Sequence, residues 1–348
     1  MTKTSKNKNK KIIITGAGGY IGTTLTPFLL KNGYKIKAID RFFFGDNYLP
    51  KHSNLEIVRE DIRKLKDKHF KNAYAIIDLA AISNDVSGER YAKETLQINY
   101  KARVNNAKLA KKNGLKRYIF PSSCSNYGKI KKSQIADETF LVNPLTNYSK
   151  ANSLAEKAIL ALSDSKFTVT VLRQGTVYGY SPKMRFDLVI NRMTYDSWKN
   201  KKLLIMKNGS QRRPTLHIKD AVNAMKMILE SEEKFVNKQI FNVGCEGNNI
   251  IIIELAKLIQ KNFKEKLKVE WYGSKDTRSY FVSFDKIYNL GFRGKYRPID
   301  GIIEIINKLD RNLIDLDPQT ITLNWYETLE KWKIELDKVL INNKLIKF

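Results

Sequence analysis

At 348 residues with 42% hydrophobic content, the chain is long enough to bury a full core, and its apolar residues come in short runs. None reaches the roughly 20 residues that span a bilayer, and two cysteines supply neither a disulfide framework nor metal-ligand spacing. The 63 Lys and Arg against 35 Asp and Glu give a net charge of +28; the excess is mostly lysine and is spread along the whole chain, so it reads as a solvated surface rather than a nucleic-acid or membrane patch.

Residues 1–10 are a polar basic tail, read as disordered, without the apolar centre of a secretory signal; the cytoplasm is the expected location. The run Lys-Ile-Ile-Ile-Thr at 11–15 predicts a buried parallel strand. It empties into Gly16-Ala17-Gly18-Gly19-Tyr20-Ile21-Gly22, then an amphipathic helical stretch at 25–30 and a second strand at 34–39 that ends on Asp40. An aromatic loop, 41–47, comes next. Strands are expected at 55–58, ending near Asp61 and Ile62, and at 73–79, followed by Ala80, Ala81 and Ser83. A long helix is expected over 89–113, with Leu96, Tyr100, Val104, Ala107 and Ala110 at helical spacing. A fifth strand at 115–120 runs into Ser122, Ser123 and Cys124, a second long helix covers 146–162, and a sixth strand lies at 167–172.

Past residue 180 the pattern loosens. Short strands at 203–206, 239–243 and 268–271 mix with helices at 187–200, 218–230 and 250–263, and an amphipathic helix is expected at 323–345. Strands alternating with helices predict an α/β, Rossmann-like doubly wound parallel sheet with a smaller mixed α/β C-terminal region. The expected division is a dinucleotide-binding domain over 11–180, to which some later segments return, a substrate-binding region over 181–322, and a helical extension over 323–348.

The glycine turn carries the first chemical inference. Gly16 permits the tight turn, Gly19 lets backbone approach a pyrophosphate, and Gly22 allows the helix to pack closely on the strand. Free N–H groups at the helix start, by Tyr20 and Ile21, suit phosphates. Asp40, 24 positions after Gly16, can accept hydrogen bonds from a ribose diol and repels a 2′-phosphate. NAD is therefore expected over NADP, although Arg41 next door softens the preference. Asp61, with Ile62, is a candidate for the adenine amino group or, equally, a turn or cap aspartate. Leu79, Ala80 and Ala81 put backbone near the cofactor, and Ser122 is a further candidate there.

Gly16-x-x-Gly19-x-x-Gly22, Asp40, Ser123 four residues before Tyr127-Gly128, and Tyr148 25 residues after Ser123 resemble the extended short-chain dehydrogenase/reductase superfamily, and within it the NAD-dependent nucleotide-sugar epimerases and dehydratases. Pro144-Leu-Thr-Asn-Tyr148, Ala155-Glu156 and Phe241-Asn-Val-Gly244 extend the likeness over about 11–309. The resemblance implies that Tyr148 exchanges the proton of a sugar hydroxyl and Ser123 hydrogen-bonds the same oxygen. It implies a nucleotide-diphosphate sugar as partner, no metal, and a homodimer built on the two long helices. Asn99 matches a position that supports the active site and is a candidate for cofactor and substrate contact, or an ordinary polar helix residue. Ser83, Arg185, Arg213 and Arg278 are the substrate candidates, the arginines because a planar guanidinium fork suits a diphosphate. His217 reads as a packed histidine rather than a base.

Two departures narrow the reaction. The family places a lysine four residues after the tyrosine, where its charge acidifies the phenol; here that position is Asn152. Lys150 and Lys157 lie about 180–200° around the helix from Tyr148. Asn152 can hydrogen-bond a ribose hydroxyl but brings no charge, which leaves three readings: the nicotinamide's own positive charge suffices with slower turnover, another lysine reaches in from elsewhere in the fold, or the protein binds cofactor and ligand without efficient catalysis. Cys124 and Ser125 stand where the 4,6-dehydratases carry an Asp-Glu pair, and Ser125 where 3,5-epimerases carry a cysteine. What remains is oxidation and re-reduction at one carbon, as in an epimerase or a 4-keto reductase.

Overall fold

The computed structural model describes residues 10–245, 247–274 and 278–340. The basic tail at 1–9 and the end of the C-terminal segment lie outside these residues. Six strands come first: β1 Lys11–Thr15, β2 Lys35–Asp40, β3 Leu55–Arg59, β4 Ala75–Asp78, β5 Arg117–Ser123 and β6 Thr168–Gln174. Then follow β7 Thr176–Tyr178, β8 Lys202–Met206, β9 Arg212–His217, β10 Gln239–Val243, β11 Asn249–Ile251 and β12 Lys268–Tyr272.

The central sheet has seven parallel strands in the order β10-β6-β5-β4-β1-β2-β3. Ile14 of β1 sits opposite Ala38 on one side and Ile77 on the other. The order reverses between β1 and β4, and the glycine turn leaves β1 at that point, where open α/β sheets take their ligands. Continuous apolar runs fit because both faces are covered. Ile12 and Ile14 pack with Leu25 and Leu29 of the helix Gly22–Lys31, whereas Ile13 joins Ala107, Phe120, Ala155 and Val169 on the opposite face. β10 returns from late in the chain to pair with β6, from Gln239 opposite Thr170 to Val243 opposite Gln174.

Three expected elements differ. The single helix at 89–113 is broken into Asp85–Arg90, Ala92–Thr95, a π-helical stretch Leu96–Ala102, and Arg103–Lys112. The wider π turn re-aims Asn99 and Arg103 toward the loop after β4. The helix expected from 250 starts at Ile252, because Ile250 and Ile251 pair antiparallel with Arg213 and Arg212 of β9. The helix expected from 187 starts at Val189, Asp187 being held in an ion pair with Arg185. The C-terminal helix is Thr322–Val339, and it packs back on the loop after β2, where Trp325 Nε1 donates to Phe43 O at 2.6 Å.

Candidate active site

The cradle is built from backbone. Gly16 has φ 68°, and a Cβ there would lie 2.7 Å from Ala80 N, so the turn presses on the loop after β4. A Cβ on Gly22 would meet Gly16 O at 2.3 Å, while one on Gly19 meets only that oxygen, at 3.2 Å. The helix that follows has no side-chain cap at its N-terminus. An open glycine facing uncapped N–H groups fits a pyrophosphate.

Asp40 closes the adenosine end. Gly18 N–H donates to one carboxylate oxygen at 3.0 Å and Phe42 N–H to the other at 2.7 Å. Burial pushes its pKa above the usual carboxylate range, against these backbone donors. The Arg41 N–H also bonds this carboxylate, which leaves one of its roughly four acceptor sites for a ribose hydroxyl. Phe43 meets Tyr326 of the C-terminal helix edge-on and Phe44 lies tilted against it, so this helix, which no local sequence pattern placed here, roofs the loop. Arg41 lies over the Phe43 ring and pairs with Asp61 at 3.3 Å. Asp61 caps the 3₁₀ turn at Ile62, accepting from Arg63 N–H at 2.9 Å and from the Arg63 guanidinium at 2.6 Å. Burial works against its charge, but Arg63 holds it below the ordinary range. Of its two readings, the cap is the one its side chain adopts.

Two cofactor candidates are tied into the scaffold. Ser122 gives its hydroxyl to Glu156 at 2.5 Å, inside a buried network with Asn126 and Arg173. Asn99, fully buried, spends both ends of its amide on Ile82: Oδ1 accepts from the N–H and Nδ2 donates to the carbonyl, each at 2.9 Å. It supports the loop after β4.

Ser123 ends β5, and its Oγ accepts from Ser125 N–H at 3.1 Å. Tyr148 is the second residue of the helix Asn147–Leu160, whose N-cap Thr146 exchanges hydrogen bonds with Ser149. A Cβ on Gly88 would fall 3.0 Å from Tyr148 Cβ, so that glycine lets the helix Asp85–Arg90 approach. Tyr148, Ser123 and Asn152 come together here. Burial raises the phenol pKa; the Arg103 guanidinium is the strongest opposing influence, Asp85 pushes it up, and hydrogen bonds with Asn152 and Ser123 lower it. Lys150 and Lys157 are exposed, as their spacing requires.

Arg103 is the residue that sequence reasoning missed. It is 2% exposed, and its three arms donate to Ala80 O at 3.1 Å, Asp78 O at 3.4 Å and Asn152 Oδ1 at 3.1 Å. Its one visible signal is its position four residues after Asn99 on the same helical wall.

The arginines divide. Arg213 lies over the Tyr280 ring and donates to the Arg278 carbonyl, while Arg278 pairs with Asp85, whose other oxygen accepts from Thr146 beside Tyr148. Arg185 instead pairs with Asp187 at 2.8 Å and donates to Ser83 Oγ at 3.0 Å. His217 is packed between Tyr178 and Tyr296 and bonded to Glu304 at 3.1 Å. Among the described residues no cluster of His, Cys, Asp and Glu could hold a metal ion, and no helix is long and apolar enough to cross a membrane.

A parallel sheet with a glycine cradle at its switch point and a tyrosine–serine pair beside it defines a dinucleotide-dependent enzyme fold. Residues 12–244 match the model of the NAD dependent epimerase/dehydratase family, and the chain belongs to that family, with NAD as its cofactor. It is 27% identical over 292 residues to a UDP-N-acetyl-alpha-D-glucosaminuronate decarboxylase of Bacillus cytotoxicus, covering 81% of this chain and 86% of that one. Among solved structures it is similar to MoeE5 in complex with UDP-glucose and NAD, with a TM-score of 0.77 and 25% identity over 87% of this chain and all of the other. The UDP-glucuronic acid 4-epimerase of Bacillus cereus shares the fold, with a TM-score of 0.77 and 23% identity over 87% of this chain and 99% of that one. Nothing in these relatives supports the reading as a binding protein without catalysis.

Proposed function

We propose that this chain works by hydride transfer at one carbon of a nucleotide-diphosphate sugar, either oxidising a carbinol and re-reducing it, as an epimerase does, or only reducing a keto carbon at the expense of reduced cofactor, as a 4-keto reductase does. The observation that carries the reading is the meeting of Tyr148, Ser123 and Asn152 beside the glycine cradle. NAD, when bound, supplies the acceptor and later the donor of the hydride. Tyr148 takes the proton of the reacting hydroxyl and returns it, and Ser123 hydrogen-bonds the same oxygen. Arg213 and Arg278 hold the diphosphate, with a UDP-sugar the first choice on the names of the relatives. Elimination of water is disfavoured because Cys124 and Ser125 offer no acid–base pair, and burial pushes the Cys124 thiol well above its ordinary pKa.

The exposed side chains of Val86, Leu96 and Leu154, on the segments Asp85–Arg90, Leu96–Ala102 and Asn147–Leu160, are the face we assign to a homodimer. The cytoplasm is the compartment we assign, on a chain whose two cysteines are both buried free thiols.

The test is direct. Purified protein is denatured and the supernatant assayed for NAD(H); the native protein is then incubated with UDP-glucose, UDP-N-acetylglucosamine, UDP-glucuronate and their GDP-, CDP- and dTDP-linked counterparts. Conversion at one stereocentre or keto group, lost in Tyr148→Phe, supports the reading. Bound NAD with no turnover of any sugar rejects it.

A further inference from the structure

We propose that Arg103 replaces the lysine missing from position 152, supplying from a different helix the positive charge that makes Tyr148 a usable base. The inference rests on the reading of Tyr148 given above. A phenol ordinarily titrates near ~10 and burial pushes this one higher; the Arg103 guanidinium is the largest influence working against that rise. Lys150 and Lys157 are exposed and point away. The buried guanidinium of Arg103 reaches instead, by way of Asn152.

The geometry distinguishes this from plain structural support. Two arms of Arg103 tie down Ala80 O and Asp78 O, which would suffice to anchor the loop. The third donates to Asn152 Oδ1 at 3.1 Å. A guanidinium can only donate, so the amide atom facing it must be oxygen, and the Nδ2 donor is left for the phenol oxygen. All three acceptors are neutral oxygens, so the charge is not cancelled by a carboxylate on any of these arms. Arg103 and Asn152 together therefore divide what one lysine does elsewhere: charge from the first, a hydrogen bond from the second. Arg103 is a positioning residue, acting on Tyr148 through Asn152 and through its field.

The experiment reads the phenol directly. The phenolate absorbance of NAD-loaded protein is titrated as the difference between each background and the same background carrying Tyr148→Phe, and pH–rate profiles are taken beside it. Arg103→Met should move the titration and the alkaline limb up by about one pH unit or more. Asn152→Asp, which keeps Arg103 but places a carboxylate against it, should shift them the same way. Arg103→Met/Asn152→Lys should bring both back toward the wild-type position. A titration unmoved by Asn152→Asp, or by a folded Arg103→Met, overturns the proposal, as does failure of the double variant to restore it. The titration needs no substrate: if it shifts as expected while every sugar nucleotide is left unchanged, the proposed reaction fails and the role of Arg103 stands.

Discussion

Arg173 clamps the carboxylate of Glu156 with two nitrogens, Nη2 to Oε2 at 2.7 Å and Nε to Oε1 at 3.2 Å, and neither side chain is more than 5% exposed. Ser122 and Asn126 donate to the same carboxylate, and Arg173 reaches on to the Tyr127 hydroxyl at 3.0 Å. The strand end that carries Ser123 is thus pinned from below by a buried ion pair. Removing one partner strands the other charge in the interior. Glu156→Gln should cost about 3 kcal/mol or more, and Arg173→Met/Glu156→Gln should recover part of it. Urea unfolding of the variants measures both.

Tyr148→Phe removes the proton carrier but no packing surface. Turnover should fall by about 10²–10⁴-fold while bound NAD and thermal stability stay at wild-type levels. Ser123→Ala should lower turnover less, since Ser123 supports the same oxygen without exchanging its proton. Steady-state kinetics with cofactor content measured on the same samples decide this.

Gly22→Ala tests the cradle. Its Cβ would come within 2.3 Å of Gly16 O, so helix and turn must separate. The expected result is loss of bound NAD and destabilisation of about 1–3 kcal/mol. Gly114→Ala is the control. Its Cβ meets nothing within 4 Å, so only its φ of +75° is strained, and cofactor content should not change.

Glu304 sets an acid limit on stability. Burial opposes its charge, yet hydrogen bonds from His217, Lys219 and Tyr180 N–H bring its pKa down to about 2. A carboxylate with a depressed folded-state pKa contributes stability above its unfolded value, near ~4.3, and loses it as pH falls through the folded one. Melting temperature should therefore decline between about pH 5 and pH 2, and Glu304→Gln should flatten that part of the curve. A thermal melt series over this range, wild type against variant, gives the answer.

The parallel sheet was legible in the chain, because runs such as Ile12-Ile13-Ile14 are stable only when buried on both faces. The glycine cradle was legible too, because it depends on backbone freedom, and the pairing of Tyr148 with Ser123, which sit on different elements, came from the family resemblance. The partners of the polar side chains became visible only on folding. Ser122, Asn99 and the carboxylate of Asp61 are each hydrogen-bonded to a partner brought in by folding: Glu156, Ile82 and Arg63. Arg103 is an unremarked helical arginine until the π turn aims it at a residue 49 positions further on. Periodicity reports which face of an element is buried, but a hydrogen bond between distant segments leaves no periodic trace in the chain.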